Sequence, residues 1–130
     1  MSFDAKLIAN GKKFDVLSSK VEFKRDVDQK GRPASHVYGG KVTALVESTE
    51  DTSLMESMFS EHKPISGSLV YKQGKEDAEM KKLEFKDAYI VEFIEEFERK
   101  NDTPMATLVV FTAKEFSCGN AVHKEEWPEG

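Results

Sequence analysis

Cysteine occurs once in these 130 residues, at Cys118, so no disulfide can form within the chain. No neighbouring motif would lower the pKa of that thiol, which reads as a bystander, and a reducing compartment suits it. Histidine is scarce too. His36, His62 and His123 lie far apart and none has a partner at a spacing such as H-x-x-x-H, so no metal site is expected. There is no G-x-S-x-G, no glycine-rich phosphate loop and no C-x-x-C, and Gly39-Gly40 alone is turn chemistry. No apolar run approaches the ~20 residues that span a bilayer, which argues against membrane insertion. The opening Met1-Ser2-Phe3-Asp4 lacks a basic region followed by an apolar run, so no cleavable secretory signal is expected. A basic surplus is missing as well. The net charge is −5 and the pI about 5.3, which argues against nucleic acid as the main partner. Together these absences leave little room for catalysis, metal, cofactor or phosphate chemistry.

What is present is alternation. From Leu83 to Ser117 the chain reads as a long hairpin with more apolar faces than one small core uses. Its first arm sets Leu83, Phe85, Tyr89, Val91, Phe93 and Phe97 on one side. Ala88, Ile90 and Ile94 sit on the other, between Glu84, Glu92 and Glu96. The second arm sets Met105, Val109 and Phe111 against Leu108, Val110 and Phe116. Strands apolar on both faces need cover on both, from their own chain or from another copy. The carboxylates Glu92, Glu95, Glu96 and Glu98 could supply an acid–base pair. The stronger reading puts Glu92, Glu96 and Glu98 with Ile90 and Ile94 on a mixed face made for contact or solvation, and Glu95 on the side of the apolar stripe. No nucleophile, base or metal partner accompanies them.

Elsewhere the elements are ordinary. Asn10-Gly11 marks a type I′ turn that puts Leu7 opposite Phe14, Ala5 opposite Val16 and Lys6 opposite Asp15. Ser19 to Asp28 reads as a separate strand with Val21, Phe23 and Val27 inward. The stretch from Asp28 to Gly40 reads as a loop of the kind that is functional or mobile, and Lys41 to Ser48 as a strand. One helix is expected over about residues 51–62, capped by Asp51 or Thr52 and closed by Pro64, with Leu54, Met55, Met58 and Phe59 on one face. That stripe docks the helix on the sheet; a methionine-rich partner groove is the alternative. Ile65 to Lys72 is a strand in which Gly67 signals a bulge or a close backbone approach. Gln73 to Lys82 is a polar connector, residues 100–104 are the turn of the long hairpin, and the tail from Gly119 is polar except for Val122 and Trp127. One domain spans residues 1–130.

Several stretches in this order resemble the hemolysin-coregulated protein family, the TssD tube proteins of bacterial type VI secretion, especially their shorter Bacteroidetes branch. They are Met1-Ser2-Phe3-Asp4-Ala5-Lys6-Leu7, Gly31-Arg32-Pro33 leading to Gly39-Gly40, and Val46-Glu47-Ser48-Thr49-Glu50-Asp51-Thr52-Ser53-Leu54. Lys82 to Tyr89, Val91-Glu92, Pro104-Met105 and Trp127-Pro128 complete the set. The resemblance implies a mainly β chain: a small β-barrel of two packed antiparallel sheets with one flanking helix. It implies a structural, non-enzymatic role without cofactor, in six-membered rings that stack into a hollow tube. A contractile sheath expels that tube together with spike proteins from a baseplate, with effector proteins in its lumen. Assembly is then expected in the bacterial cytoplasm, with export that reads no cleavable signal. A closed ring needs a head-to-tail contact. Ile90, Ile94, Leu108 and Val110 are expected at that contact, unless the helix carrying Leu54 and Phe59 covers them. Asp28, Gln29, Lys30, Gly31, Arg32, Pro33, Ser35, His36 and Tyr38 are expected to touch neighbouring subunits or rings. Rival readings are a tail-tube subunit of a phage or extracellular injection device, and a monomeric barrel holding a small apolar ligand.

Overall fold

The computed structural model describes residues 3–60, 63–73, 78–100 and 105–124. His62, the hairpin turn at 101–104 and the end of the tail with Trp127 lie outside the described residues. The strands are β1 (Phe3–Ala9), β2 (Lys12–Lys24), β3 (Tyr38–Glu47), β4 (Ile65–Gln73), β5 (Ala78–Phe97), β6 (Met105–Cys118) and β7 (Ala121–Lys124). One helix, α1 (Ser53–Phe59), separates β3 from β4. The sheet order is β3-β2-β1-β4-β5-β6-β7, and β3 also pairs with β6. That extra pairing closes six antiparallel strands into a barrel and leaves β7 as an added strand. The expected mainly β barrel with a single short helix is what forms.

The first hairpin follows the turn chemistry. Asn10 and Gly11 have φ of 51° and 81°, the two positive values a type I′ turn needs. Leu7 pairs with Phe14 and Lys6 with Asp15, whose side chains are hydrogen-bonded. β2 then runs straight on through the region expected to be a separate strand. Its pairing with β1 ends at Asp15 and its pairing with β3 begins at Val16, with a register shift between Val16 and Ser18 inside that second ladder. Its far end is less enclosed than expected, because Val21 and Phe23 are partly exposed and Val27 only bridges Pro33 in the loop.

Bulges also correct the face assignment of β5. Asp87 has a positive φ, and the β4–β5 register shifts between Ile65 and Gly67. A second shift, against β6, falls between Ile90 and Glu92. Each one resets which side chains point inward. The buried set is therefore Leu83, Phe85, Ala88 and Ile90, with Phe93 packed against it. Tyr89 and Val91 are not on that face. The partner strand changes face over the same stretch, so Phe116 joins Val109, Phe111 and Ala113 in the core. Gly67 makes the crossing of β1 and β4 possible. A Cβ there would sit 1.8 Å from the carbonyl oxygen of Ile8.

The helix is shorter than expected, seven residues, and begins after Thr52. Asp51 accepts a hydrogen bond from the Ser53 N–H, while the Thr52 hydroxyl donates to Glu56. Leu54 is in the core, Ser57 is buried and Met58 packs beside them, so the inward face is 54, 57 and 58. Phe59, expected on that stripe, is 77% exposed.

Candidate functional site

Register places the outward side chains of four neighbouring strands, β2, β3, β6 and β5. Leu45 pairs with Leu108 and Leu108 with Ile94, giving an apolar row across three strands. Thr43, Val110 and Glu92 form the next row, and Lys41, Thr112 and Tyr89 the one beyond. Ser18, Lys20 and Glu22 extend these rows onto β2, with Leu17 exposed at its bulge. Ile94 is 39% exposed and Leu108 and Leu45 are half-buried. Val110 is only 4% exposed, yet it lies outside the core cluster, in keeping with an outward side chain crowded by its neighbours. Ile90 pairs with Phe111 and belongs to the core. Of the four residues expected at a subunit contact, three therefore share the outer face and Ile90 does not. The bulge after it turns it inward.

Helix α1 leaves that face open. Leu54 and Met55 line a cleft of about 100 Å³ with Phe14, Val46 and Phe93, all on the inner side of the strands. At the same end Glu95 points inward rather than along the outer face. Its Oε2 accepts from the hydroxyls of Ser48 at 3.2 Å and Thr107 at 2.9 Å, and those two hydroxyls are 2.8 Å apart. This small network satisfies the buried Thr107 and ties β3, β5 and β6 together. Alternation alone put Glu95 with the apolar stripe but could not show its partners.

The same four strands have two unpaired edges. β4 stops pairing with β5 at Ala88, so from Glu92 to Phe97 β6 is the only strand partner among the described residues. β1 stops pairing with β2 at Asp15, so from Ser18 to Lys24 β3 is the only one. Val91 and Phe97 on the first edge are 54% and 67% exposed. Helix α1 packs on β5, where Leu54 and Met55 share a cleft with Phe93 and Glu95. Edges without a strand partner that carry exposed apolar side chains invite pairing with another strand.

The loop between β2 and β3 is built around one carboxylate. Asp28 accepts hydrogen bonds from the backbone N–H of Lys30 and Arg32 at 2.8 and 2.9 Å and from the Arg32 guanidinium at 2.9 Å. The Arg32 N–H and the other donors hold the Asp28 carboxyl below its ordinary value. Gly31, at φ +81°, supplies the turn, and Val27 bridges Pro33. Ser35 accepts from the Asp26 N–H and donates to the His36 carbonyl. The Tyr38 hydroxyl donates to Asp26 at 2.6 Å, which raises its pKa. Gln29, Pro33 and His36 are exposed on this self-bonded hairpin. Among the described residues no group of three His, Cys, Asp or Glu side chains is placed to hold a metal ion.

The barrel matches known relatives. The family model described as Hemolysin coregulated protein Hcp (TssD) matches residues 1–128. The chain belongs to the Hcp family. Hcp1 from Flavobacterium johnsoniae superposes with a TM-score of 0.87 at 28% identity, over 93% of this chain and 98% of that one. Hcp1 from Salmonella typhimurium superposes with a TM-score of 0.65 at 16% identity, over 88% of this chain and 85% of that one, a likeness of fold. So does a chain of the anti-feeding prophage baseplate, with a TM-score of 0.50 at 10% identity, over 89% of this chain and 91% of that one. A comparison with curated proteins found no match. As an Hcp protein, the chain is a tube subunit of type VI secretion, a family whose members form stacked rings.

Proposed function

We propose that this Hcp chain closes six-membered rings by edge-to-edge pairing, the bare half of β5 in one copy meeting the bare half of β2 in the next. The observation that carries this reading is the pair of unpaired edges at opposite sides of one four-stranded sheet. Such edges are not self-complementary, so they join head to tail, which is the geometry that closes a ring. Six copies contribute about 24 strands. At ~4.8 Å per strand these make a cylinder roughly 37 Å across before tilt is counted. The remainder of each barrel (β1, β4 and α1) lies on the core side of its sheet, and only the convex side of the cylinder has room for it. The outer face with Thr43, Leu45, Leu108 and Val110 then lines the lumen, where effector proteins travel. Ile94, on the edge strand, contacts the neighbouring copy. The loop with Asp28, Gln29, Lys30, Gly31, Arg32, Pro33, Ser35, His36 and Tyr38 meets the adjacent ring.

In this reading the subunit does no catalysis. Rings stack inside a contractile sheath on a baseplate, assemble in the bacterial cytoplasm, and leave the cell with spike and effectors. The prophage likeness is one of fold, at an identity too low to favour that machine over type VI secretion. Negative-stain images of purified protein are expected to show annular particles of six units. Ile94→Glu is expected to abolish them while leaving a folded monomer, since Ile94 is outside the core. Unchanged rings would remove the edge contact from the account, and a single-molecule wild type would remove the ring.

A further inference from the structure

We propose that these rings stack by charge, the barrel end with Lys24, Arg25 and Lys30 of one copy seating on the end with Glu47, Glu50 and Asp51 in the next ring. The inference rests on the ring reading above and adds the force that holds one ring to another.

Register separates the two ends. Glu47, Ala106 and Glu96 share one row across β3, β6 and β5, while Lys24 pairs with Tyr38 at the opposite end of β3. From Tyr38 to Glu47 the strand rises about 30 Å. That is roughly three Debye lengths at 0.1 M salt, so each end presents its own charge to an approaching copy.

The signs are opposite. Around the first end, residues 47–56 hold Glu47, Glu50, Asp51 and Glu56 with no Lys or Arg among them. The turn between β1 and β2 and the start of β4 bring Lys12, Lys13 and Lys63 to the same end. The neighbouring strand end adds Glu95, Glu96 and Glu98 against Arg99 and Lys100, which leaves this end net acidic. Residues 24–41 hold Lys24, Arg25, Lys30, Arg32 and Lys41 against Asp26 and Asp28. Asp28 is paired with Arg32, and Asp26 accepts a hydrogen bond from the neutral Tyr38 hydroxyl and keeps its charge, so the segment remains net basic. Lys24, Arg25 and Lys30 are exposed and make no ion pair among the described residues. Arg25 also lines an open groove with Ser35, His36, Tyr38 and Lys124, a concave seat for an acidic projection. The segment after Glu47 offers the exposed Glu50 and, half-buried beside it, Asp51. Like ends repel, so the charge also selects head-to-tail stacking over head-to-head.

Charge reversal with a mixing arm tests this. Wild-type rings in ~20 mM salt are expected to form stacks in negative-stain images and to disperse to single rings in ~500 mM salt. Lys24→Glu with Arg25→Glu and Lys30→Glu makes both ends acidic, and Glu47→Lys with Glu50→Lys makes the acidic end basic. Each variant alone is expected to give single rings at low salt. Mixed in equal amounts they are expected to stack again, because every contact between the two kinds then pairs opposite charges. Wild-type rings that remain single at low salt, stacks indifferent to salt, or a mixture that does not stack would each overturn the inference while leaving the ring intact. Absence of annular particles in the wild type would instead overturn the ring reading.

Discussion

The two halves of β5 are one strand under two regimes. From Leu83 to Ala88 the strand lies between β4 and β6, and its inward side chains Leu83, Phe85 and Ala88, with Ile90 just beyond, are buried. From Glu92 to Phe97 it has β6 alone for a strand partner among the described residues, and Ile94 and Phe97 are exposed. Side-chain character changes little between the halves; cover does. Where the chain supplies both neighbours, apolar side chains stabilise the monomer. Where it supplies one, the same chemistry is left uncovered by a strand, and the proposed ring contact would use it. For an Hcp tube subunit this division has a purpose, since the monomer must fold before the ring can close.

Breaking the first half should cost stability. Phe85 stacks at 4.6 Å from Phe111 in the centre of the barrel. Phe85→Ala is expected to cost about 3–5 kcal/mol in urea unfolding, from lost burial and the cavity left behind. Breaking the second half should cost assembly instead. Ile94→Glu is expected to lie within about 0.5 kcal/mol of wild type in the same unfolding experiment, as outward substitutions do, while rings disappear. A large loss of stability there would place Ile94 in the monomer core and erase the contrast.

The smallest effect belongs to the loop, which leans on neither half. Asp28 has a depressed pKa in the fold, so its contribution is full above the unfolded value near 3.8 and is lost as pH falls through the lower folded value. Asp28→Asn removes that charge at every pH. The loop amides of Lys30 and Arg32 are expected to exchange faster in the variant at neutral pH, with global unfolding unchanged. Unaltered exchange would show that Gly31 and the Val27–Pro33 bridge hold the loop without the carboxylate.

Much of this was legible in the sequence, and the failures share a cause. The Asn10-Gly11 turn carried its own geometry, so the pairing of Leu7 with Phe14 and Lys6 with Asp15 followed from two residues. Alternation along β5 is no guide beyond Phe85, because counting by twos fails at each bulge. Nothing in the side chains of Asp87 or Val91 announces an extra residue. The same failure put Ile90 on the outer face and Phe116 opposite Phe111. Phe59 was assigned to the docked stripe because spacing cannot tell that a helix stops after seven residues. The bare edges were not legible at all. They depend on where β1 and β4 stop pairing, a property of the closed barrel rather than of any local run.

The comparison within β5 is tested most directly by hydrogen exchange, read amide by amide in wild-type rings and in the Ile94→Glu monomer. Amides between Leu83 and Ile90 are expected to be protected in both. Between Glu92 and Phe97, those turned away from β6 are expected to be protected in the ring and to exchange rapidly in the monomer. Equal, fast exchange of that edge in both forms would contradict a ring closed through β5.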